Sequence, residues 1–520
     1  MPLIDFNTIQ SERELKIALG EQSFDYTVIG CGAVGIHLGL LLTERGKSVL
    51  VLESGRIGEQ PEKQALNQVD ANRSDIKSSL EWGRKRALGG TTIRWGGQAL
   101  PFSPLDFSSR PWLNSPGWPI DFDSLRPYYR QAERYMGIRE HGYYGPALRD
   151  LGLTPPFSSA SLDYHISKWA PEPNMFKRHR KRLLKSAFVL FNAHTTHIES
   201  DGSRCLSLTV ENFNGLRCRL HVQNLIIAAG AAETTRLLMT NALSNSPALG
   251  KGFMEHPCMD LGTIQTNDME SLQIHFSTHM VKGFKYGLRM SLTDRVQIDK
   301  ELTNVSASLM FETAEGDFDP LNNLRSLTGG QKVDAFKKIV GNFGHYLKSV
   351  VLFLKNGVVW KPYAKVRITA MCEQLSSDGS TLELDFDSPD DFGIPKLKVH
   401  WAISDSTWKS ACETAQLVKA HLQEHFDVHV ELRPEIEKKL DFDARIFSSV
   451  NHHMGGTVMG VDPGASVVNS NLRLHEVENI WVCSASVFPT GSHSNPTLTA
   501  LALAGRFVGH VTHMSNAMLS

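Results

Sequence analysis

A glycine-rich hexapeptide, Gly30-Cys31-Gly32-Ala33-Val34-Gly35, joins a short apolar run to a longer helical one, and an acid closes the unit. Tyr26-Thr27-Val28-Ile29 reads as a buried strand and Ala33 through Leu42 as a helix. Ser48-Val49-Leu50-Val51-Leu52 reads as a second strand ending at Glu53. Strand, glycine turn, helix, strand and acid, in that order, make a dinucleotide-binding βαβ unit. Gly30 permits the tight turn, Gly32 lets backbone approach a pyrophosphate, and Gly35 lets helix and strand pack closely. The helix N-terminus faces the phosphates, and a carboxylate at Glu53 accepts hydrogen bonds from a ribose diol. The chain is expected to bind an adenine dinucleotide.

At 520 residues the chain exceeds one compact core, so two intimately joined domains are expected. A net charge of −1 gives no reason to expect nucleic acid or an anionic surface as partner. The seven cysteines form no C-x-x-C or C-x-x-C-H, so neither a zinc knuckle nor an attached c-type haem is indicated, and no metal site is expected. Their odd number and scatter suit a reducing compartment. Met1 to Phe6 lacks a basic region followed by an apolar one, and no apolar stretch approaches a membrane span. A cytoplasmic, soluble protein is expected.

Residues up to about Glu21 read as a polar helical lead-in, and Gln60 to Arg86 as a polar surface excursion. Ala87-Leu88-Gly89-Gly90-Thr91-Thr92-Ile93-Arg94-Trp95-Gly96-Gly97 forms a second glycine-rich loop, able to approach a planar ligand. Pro111 to Ile138 suggests a packed connector with a helix starting at Pro127. Short strands follow, broken by Asp201-Gly202 and Asn214-Gly215. The last of them, Leu225 to Ala229, runs into Gly230-Ala231-Ala232, another strand–glycine–helix junction. Alternating stretches such as Ser306–Phe311 and Lys365–Met371 read as strands of a separate sheet. Near the end, Asn479–Cys483 reads as a strand and Leu498–Val511 as a helix. The expected division places 20–110, 180–264 and 445–520 in a discontinuous nucleotide domain. Residues 111–179 and 265–444 form the connector and substrate domain.

His452-His453-Met454-Gly455-Gly456-Thr457 and Ser494-Asn495-Pro496-Thr497-Leu498-Thr499 complete a set of motifs. With the N-terminal fingerprint and the Gly89–Gly97 loop, they resemble the glucose–methanol–choline (GMC) oxidoreductase family, most of all its pyranose 2-oxidase and sugar-dehydrogenase branch. The resemblance implies an α/β fold, α+β overall. It has a Rossmann-like FAD-binding domain of the glutathione-reductase type and a substrate domain built on a mainly antiparallel sheet flanked by helices. It also implies FAD as cofactor and maps a catalytic pair onto His453 and Asn495. A neutral imidazole accepts the hydroxyl proton as hydride leaves the alcohol carbon, and an amide holds the oxygen. His452 competes with His453, but register with H-x-G-G-T favours the latter; His493 competes with Asn495.

Cofactor contacts are assigned to Gly30, Gly32, Ala33, Val34, Gly35, Glu53 and Ser54, and to Arg86, Gly89, Gly90, Thr91, Thr92, Arg94, Trp95, Gly96 and Gly97. Thr196, Ala229, Gly230, Ser484, Asn495, Pro496 and Thr497 complete the set. Arg94 occupies the position of the histidine that links covalently to flavin in pyranose 2-oxidase, so FAD is expected to be non-covalent. Arg94 could instead place charge near the cofactor, pair with a carboxylate, or simply face solvent.

The expected activity is FAD-dependent oxidation of a hydroxyl of a sugar, glycoside or related polyol, with dioxygen, a quinone or another carrier as electron acceptor. A non-sugar alcohol, a lyase-type member with a redox-silent flavin, a non-catalytic nucleotide binder and a nicotinamide-linked dehydrogenase are the alternatives. Seven lysines against Asp334 between Lys332 and Lys365, interleaved with Phe343, Val350, Phe353 and Leu354, read as a basic amphipathic helix. Covering the substrate domain or meeting a second subunit is favoured for it over lying on an anionic membrane.

Overall fold

A computed structural model describes residues 3–153, 159–312, 343–358, 360–362 and 365–517. A six-stranded, all-parallel sheet runs Leu3–Asp5, Phe188–Phe191, Val49–Glu53, Tyr26–Ile29, Leu225–Ile227 and Ile480–Val482 in spatial order. Its central strands are near-continuous apolar runs because helices cover both faces. Val28, Val51, Ile226 and Val482 are fully buried. The helices Ala33–Glu44 and Pro496–Ala517, drawn from opposite ends of the chain, pack together. The helical lead-in is Glu12–Ala18, but Leu3–Asp5 precedes it as the edge strand of this sheet.

Both hairpin signals lie in turns of a small antiparallel sheet, His194–Ser200, Cys205–Glu211 and Arg217–His221. A second large sheet is antiparallel throughout. It runs from Val428–Leu432 through Cys258–Thr266, Lys365–Cys372, Val305–Glu312, Phe284–Leu292 and Leu162–Trp169 to Gln98–Ala99, with Thr278–Val281 added beside Phe284–Leu292. Alternation gives this sheet two unlike faces. Ile166, Leu288, Ala307 and Ile368 are buried on the face that packs under helix Asp405–His425, against Trp408, Ala411 and Val418. Register places His165 opposite Arg289, and Ser308 opposite Thr369, on the other face. That polar face meets the C-terminal part of the chain, where the ring of His165 lies 5.2 Å from that of His493; Ser167 accepts from Gln98 of the neighbouring strand.

Two expectations are corrected here. Gln60–Arg86 is no surface excursion: Lys63, Gln64, Asn67, Ile76, Ser79 and Arg86 are buried, and helix Ser74–Trp82 lies within it. Gln64, Asn67 and Arg86 are hydrogen-bonded to one another, as Arg86 is to Asn67 at 2.8 Å, and Ser79 bonds to Asn451 and His453. The connector helix starts at Phe122 rather than Pro127, because Asp121 caps it by accepting from Ser124 N at 2.6 Å. Of the lysine-rich segment, residues 332–342 lie outside the described residues; Phe343–Asn356 is a helix.

Candidate active site

A cavity of about 720 Å³ runs from the Gly30–Gly32 turn to His452 and Asn495. Gly30 has φ +103°, and a Cβ there would sit 2.6 Å from Ala228 O. At Gly35 a Cβ would sit 1.8 Å from Gly30 O, so this glycine packs the helix on the strand and does not reach the cavity. Gly89 also stays behind the cavity wall. Its positive φ lets Gly90 reach Gly32, where a Cβ on Gly90 would lie 2.9 Å from Gly32 Cα. The other expected cofactor residues border the cavity: Ala33, Val34, Glu53, Ser54, Arg86, Thr91, Thr92, Arg94, Trp95, Gly96, Gly97, Thr196, Ala229, Gly230, Ser484, Pro496 and Thr497.

These walls fit a dinucleotide. Helix Ala33–Glu44 has no side-chain cap and no acid in its first turn, leaving its N–H groups for an anion. Glu53 accepts from Cys31 N at 3.0 Å and Gly55 N at 2.8 Å, and burial raises its pKa. Arg84, Arg86 and Arg236 converge on Glu233 at 3.0, 2.7 and 3.6 Å, and Arg236 also meets Asp390 at 2.7 Å. Burial would raise Glu233, but these three guanidiniums outweigh it and hold the carboxyl well below its usual range. Three cations against two carboxylates leave a positive surplus on the wall. His194 Nε2, Thr195 Oγ1 and Thr240 Oγ1 are buried without partners, and all three residues border the cavity. Arg94 is mostly exposed and pairs with Glu59.

The histidine that meets Asn495 is His452, not His453. Met254 and Met454 exchange backbone hydrogen bonds at 2.8 Å, an antiparallel bridge that sets His256 opposite His452. Adjacent residues of an extended chain point to opposite sides. His452 therefore turns towards Asn495 and His453 away from it. Asn495 Nδ2 lies 3.0 Å from His452 Nε2. His453 Nε2 instead meets Ser79 Oγ at 2.9 Å and lies 3.7 Å from Glu255. The hydroxyl of Ser79 has one hydrogen, which Asn451 Oδ1 accepts at 2.8 Å, so His453 is the donor through Nε2. A nitrogen that already carries a proton cannot take another.

The tautomer of His452 follows from its neighbours. A carbonyl only accepts, so His256 donates through Nε2 to Gly491 O at 3.1 Å. Its Nδ1 is then the acceptor for Nδ1–H of His452, 2.8 Å away. That leaves the lone pair of His452 on Nε2, where Asn495 donates to it. Burial, with His256, His453 and Arg289 adding to it, pushes His452 well below the ordinary imidazole range, so the ring is neutral at neutral pH. Glu255 ties the two strands by accepting from His256 N at 2.8 Å and His452 N at 2.7 Å. His493 lies tilted against His165 at 5.2 Å between ring centroids, with neither ring nitrogen partnered.

Ser79, Glu255, His256, His194 and Thr195 belong to the site without any sequence motif to mark them. Ser484 caps the short turn Ala485–Val487 by accepting from Ser486 N at 3.2 Å.

Residues 377–504 match the family model of the C-terminal domain of GMC oxidoreductases. These findings support the GMC oxidoreductase family. The chain is 22% identical to the fructose dehydrogenase large subunit of Gluconobacter japonicus over 93% of this chain and 97% of that protein. It is 24% identical to the oxygen-dependent choline dehydrogenase of Staphylococcus aureus (strain MSSA476), over 93% and 92%. The crystal structure of pyridoxine 4-oxidase from Mesorbium loti superposes with a TM-score of 0.59 at 16% identity, covering 94% of this chain and 99% of that one. The mixed α/β architecture is thus that of the GMC fold. GMC members are FAD flavoproteins. Among the described residues no helix is long and apolar enough to cross a membrane, and no cluster of histidine, cysteine and carboxylate could hold a metal ion.

Proposed function

We propose that the chain is an FAD-dependent oxidoreductase that converts a CH–OH group of a sugar, glycoside or related polyol to a carbonyl. The observation that carries this reading is one cavity bordered both by the dinucleotide-binding turn and by the His452–Asn495 pair. The relatives that act on fructose and choline share the oxidation of an alcohol and support the reaction class.

A bound flavin supplies the acceptor for the carbon-bound hydrogen. The chain does the rest. A substrate hydroxyl entering between His452 and Asn495 donates to Nε2 of His452 and accepts from Nδ2 of Asn495, replacing their mutual bond. His452 thereby takes the proton, and His256 steadies the resulting cation by accepting from Nδ1–H. Asn495 fixes the oxygen without competing for that proton. The role expected of His453 passes to His452, and His453 braces the loop through Ser79. Arg94 has no imidazole to offer and is paired with Glu59, which supports non-covalent binding of FAD. The terminal acceptor is dioxygen, a quinone or another carrier.

Anaerobic mixing with sugars, polyols and simple alcohols tests this, with loss of the oxidised-flavin absorbance as the readout. Sugars or polyols should bleach the flavin, and admitting air then tests dioxygen as acceptor. Bleaching by simple alcohols alone would remove the carbohydrate assignment. An oxidised flavin with every alcohol would remove the oxidation itself.

A further inference from the structure

The polar face of the antiparallel sheet roofs the site beside His452, and one of its side chains has no counter-charge. Arg289 stands opposite His165 in the strand register. It lies deep in the protein yet keeps partial exposure, so part of it borders internal space. It lies near enough to His452, His493, His165 and Cys258 for its charge to act on all four. Among the described residues no carboxylate forms an ion pair with it and no acceptor takes a hydrogen bond from it. The carboxylates around the site are already engaged. Glu373 takes both arms of Arg110 at 2.7 and 2.5 Å, and Asp260 takes Arg367 at 2.5 Å. Glu255 accepts the two backbone N–H groups that join the histidine strands.

Three further polar groups lie packed on or beside this face, closed off from solvent. Both ring nitrogens of His165 and both of His493 lack partners, and so does Ser306 Oγ. His165 and Ser306 are fully buried, and His493 nearly so. A guanidinium away from bulk water without an anion is costly, and so is each unpaired buried donor or acceptor. Arg289, half-buried on the same face, therefore offers an uncompensated positive charge suited to a ligand with one negative charge.

We infer that the substrate of the proposed oxidation is an anionic polyhydroxy compound, its carboxylate or phosphate held by Arg289 while a hydroxyl elsewhere on it meets His452 and Asn495. This rests on the proposed alcohol oxidation and narrows its substrate. The guanidinium fork matches two oxygens of a carboxylate or phosphate. A cationic alcohol would meet an uncompensated positive charge, so such substrates are excluded by repulsion as well as by lack of contacts.

Matched pairs test the inference on the flavin-loaded enzyme. Glucuronate and glucose 6-phosphate are compared with glucose, and gluconate with sorbitol, in wild type, Arg289→Met and Arg289→Lys. The wild type should favour an anionic member over its neutral partner. In R289M the kcat/KM of that anion should fall about 100-fold while the neutral partner changes less than about threefold, and R289K should recover part of the loss. The phosphate and carboxylate arms separate the two anion types. Binding is measured independently of turnover by calorimetric titration with glutarate and with inorganic phosphate. Tighter binding of either anion to wild type than to R289M supports the site even if no compound is oxidised, in which case it is the proposed reaction that fails. Equal loss for anionic and neutral members, or no difference in anion binding between wild type and a folded R289M, overturns the inference.

Discussion

Replacing Glu255 by glutamine should make the protein more resistant to alkaline conditions without disturbing it in acid. The side chain is fully buried, and burial pushes its carboxyl up to about 7, although the N–H groups of His256 and His452 act the other way. The carboxyl is therefore harder to ionise in the folded chain than in the unfolded one. Its contribution to stability is fully present below the ordinary carboxylate range and is lost as pH rises through about 7. The difference from the ordinary carboxyl value of 4.5, at about 1.36 kcal/mol for each pH unit, comes to about 3 kcal/mol. Glutamine keeps an oxygen for the two backbone donors, and its amide can donate to Ser79 Oγ where Oε2 stood. An unfolding entropy of about 2.1 cal/mol/K per residue converts the gain, for 520 residues, to about 3 °C. Thermal melts followed by circular dichroism from about pH 5 to about pH 9 read the effect. Wild type and E255Q should melt together at the acid end, with the variant about 3 °C higher at the alkaline end. A gap that does not change with pH, or one that closes as pH rises, would refute the reasoning.

His452→Ala should slow anaerobic flavin reduction by about 10²- to 10⁴-fold, whereas His453→Gln, which can still donate to Ser79, should stay within about tenfold; equal losses in stopped-flow traces would return the role to both rings. Gly35→Ala should abolish cofactor retention, because a Cβ would press to 1.8 Å on Gly30 O; a purified variant with full flavin content per chain would contradict this. Removing one partner of the fully buried Arg110–Glu373 pair, as in Arg110→Met, should cost about 3–5 kcal/mol in denaturant melts. The double variant Arg110→Met with Glu373→Leu should recover a measurable part of that loss, since the stranded charge is gone.

The nucleotide half was legible because its instructions are local. A turn that needs positive φ and close backbone approach asks for glycine at Gly30, and a buried parallel strand asks for an apolar run at Tyr26–Ile29. Both demands fall on residues adjacent in the chain. The strands Val305–Glu312 and Lys365–Cys372 could be read from alternation for the same reason. The connector helix starts earlier than Pro127 suggested because Asp121 caps it, and the Gln60–Arg86 segment is buried through partners far away in sequence, Glu233 and Asn451 among them.

By itself, then, the sequence determined that the chain would build a dinucleotide-binding unit from its two ends and carry histidine and asparagine late in its course. It could not say which of two adjacent histidines meets Asn495. That choice is made by the bridge between Met254 and Met454, which sets His452 against His256 some 196 residues away. Nor could it show that Arg289 stands over the site without a carboxylate, since charge pairing depends on which side chains share a space. Backbone conformation is dictated by neighbours in the chain, whereas protonation state and charge balance are properties of the enclosed volume that distant strands create.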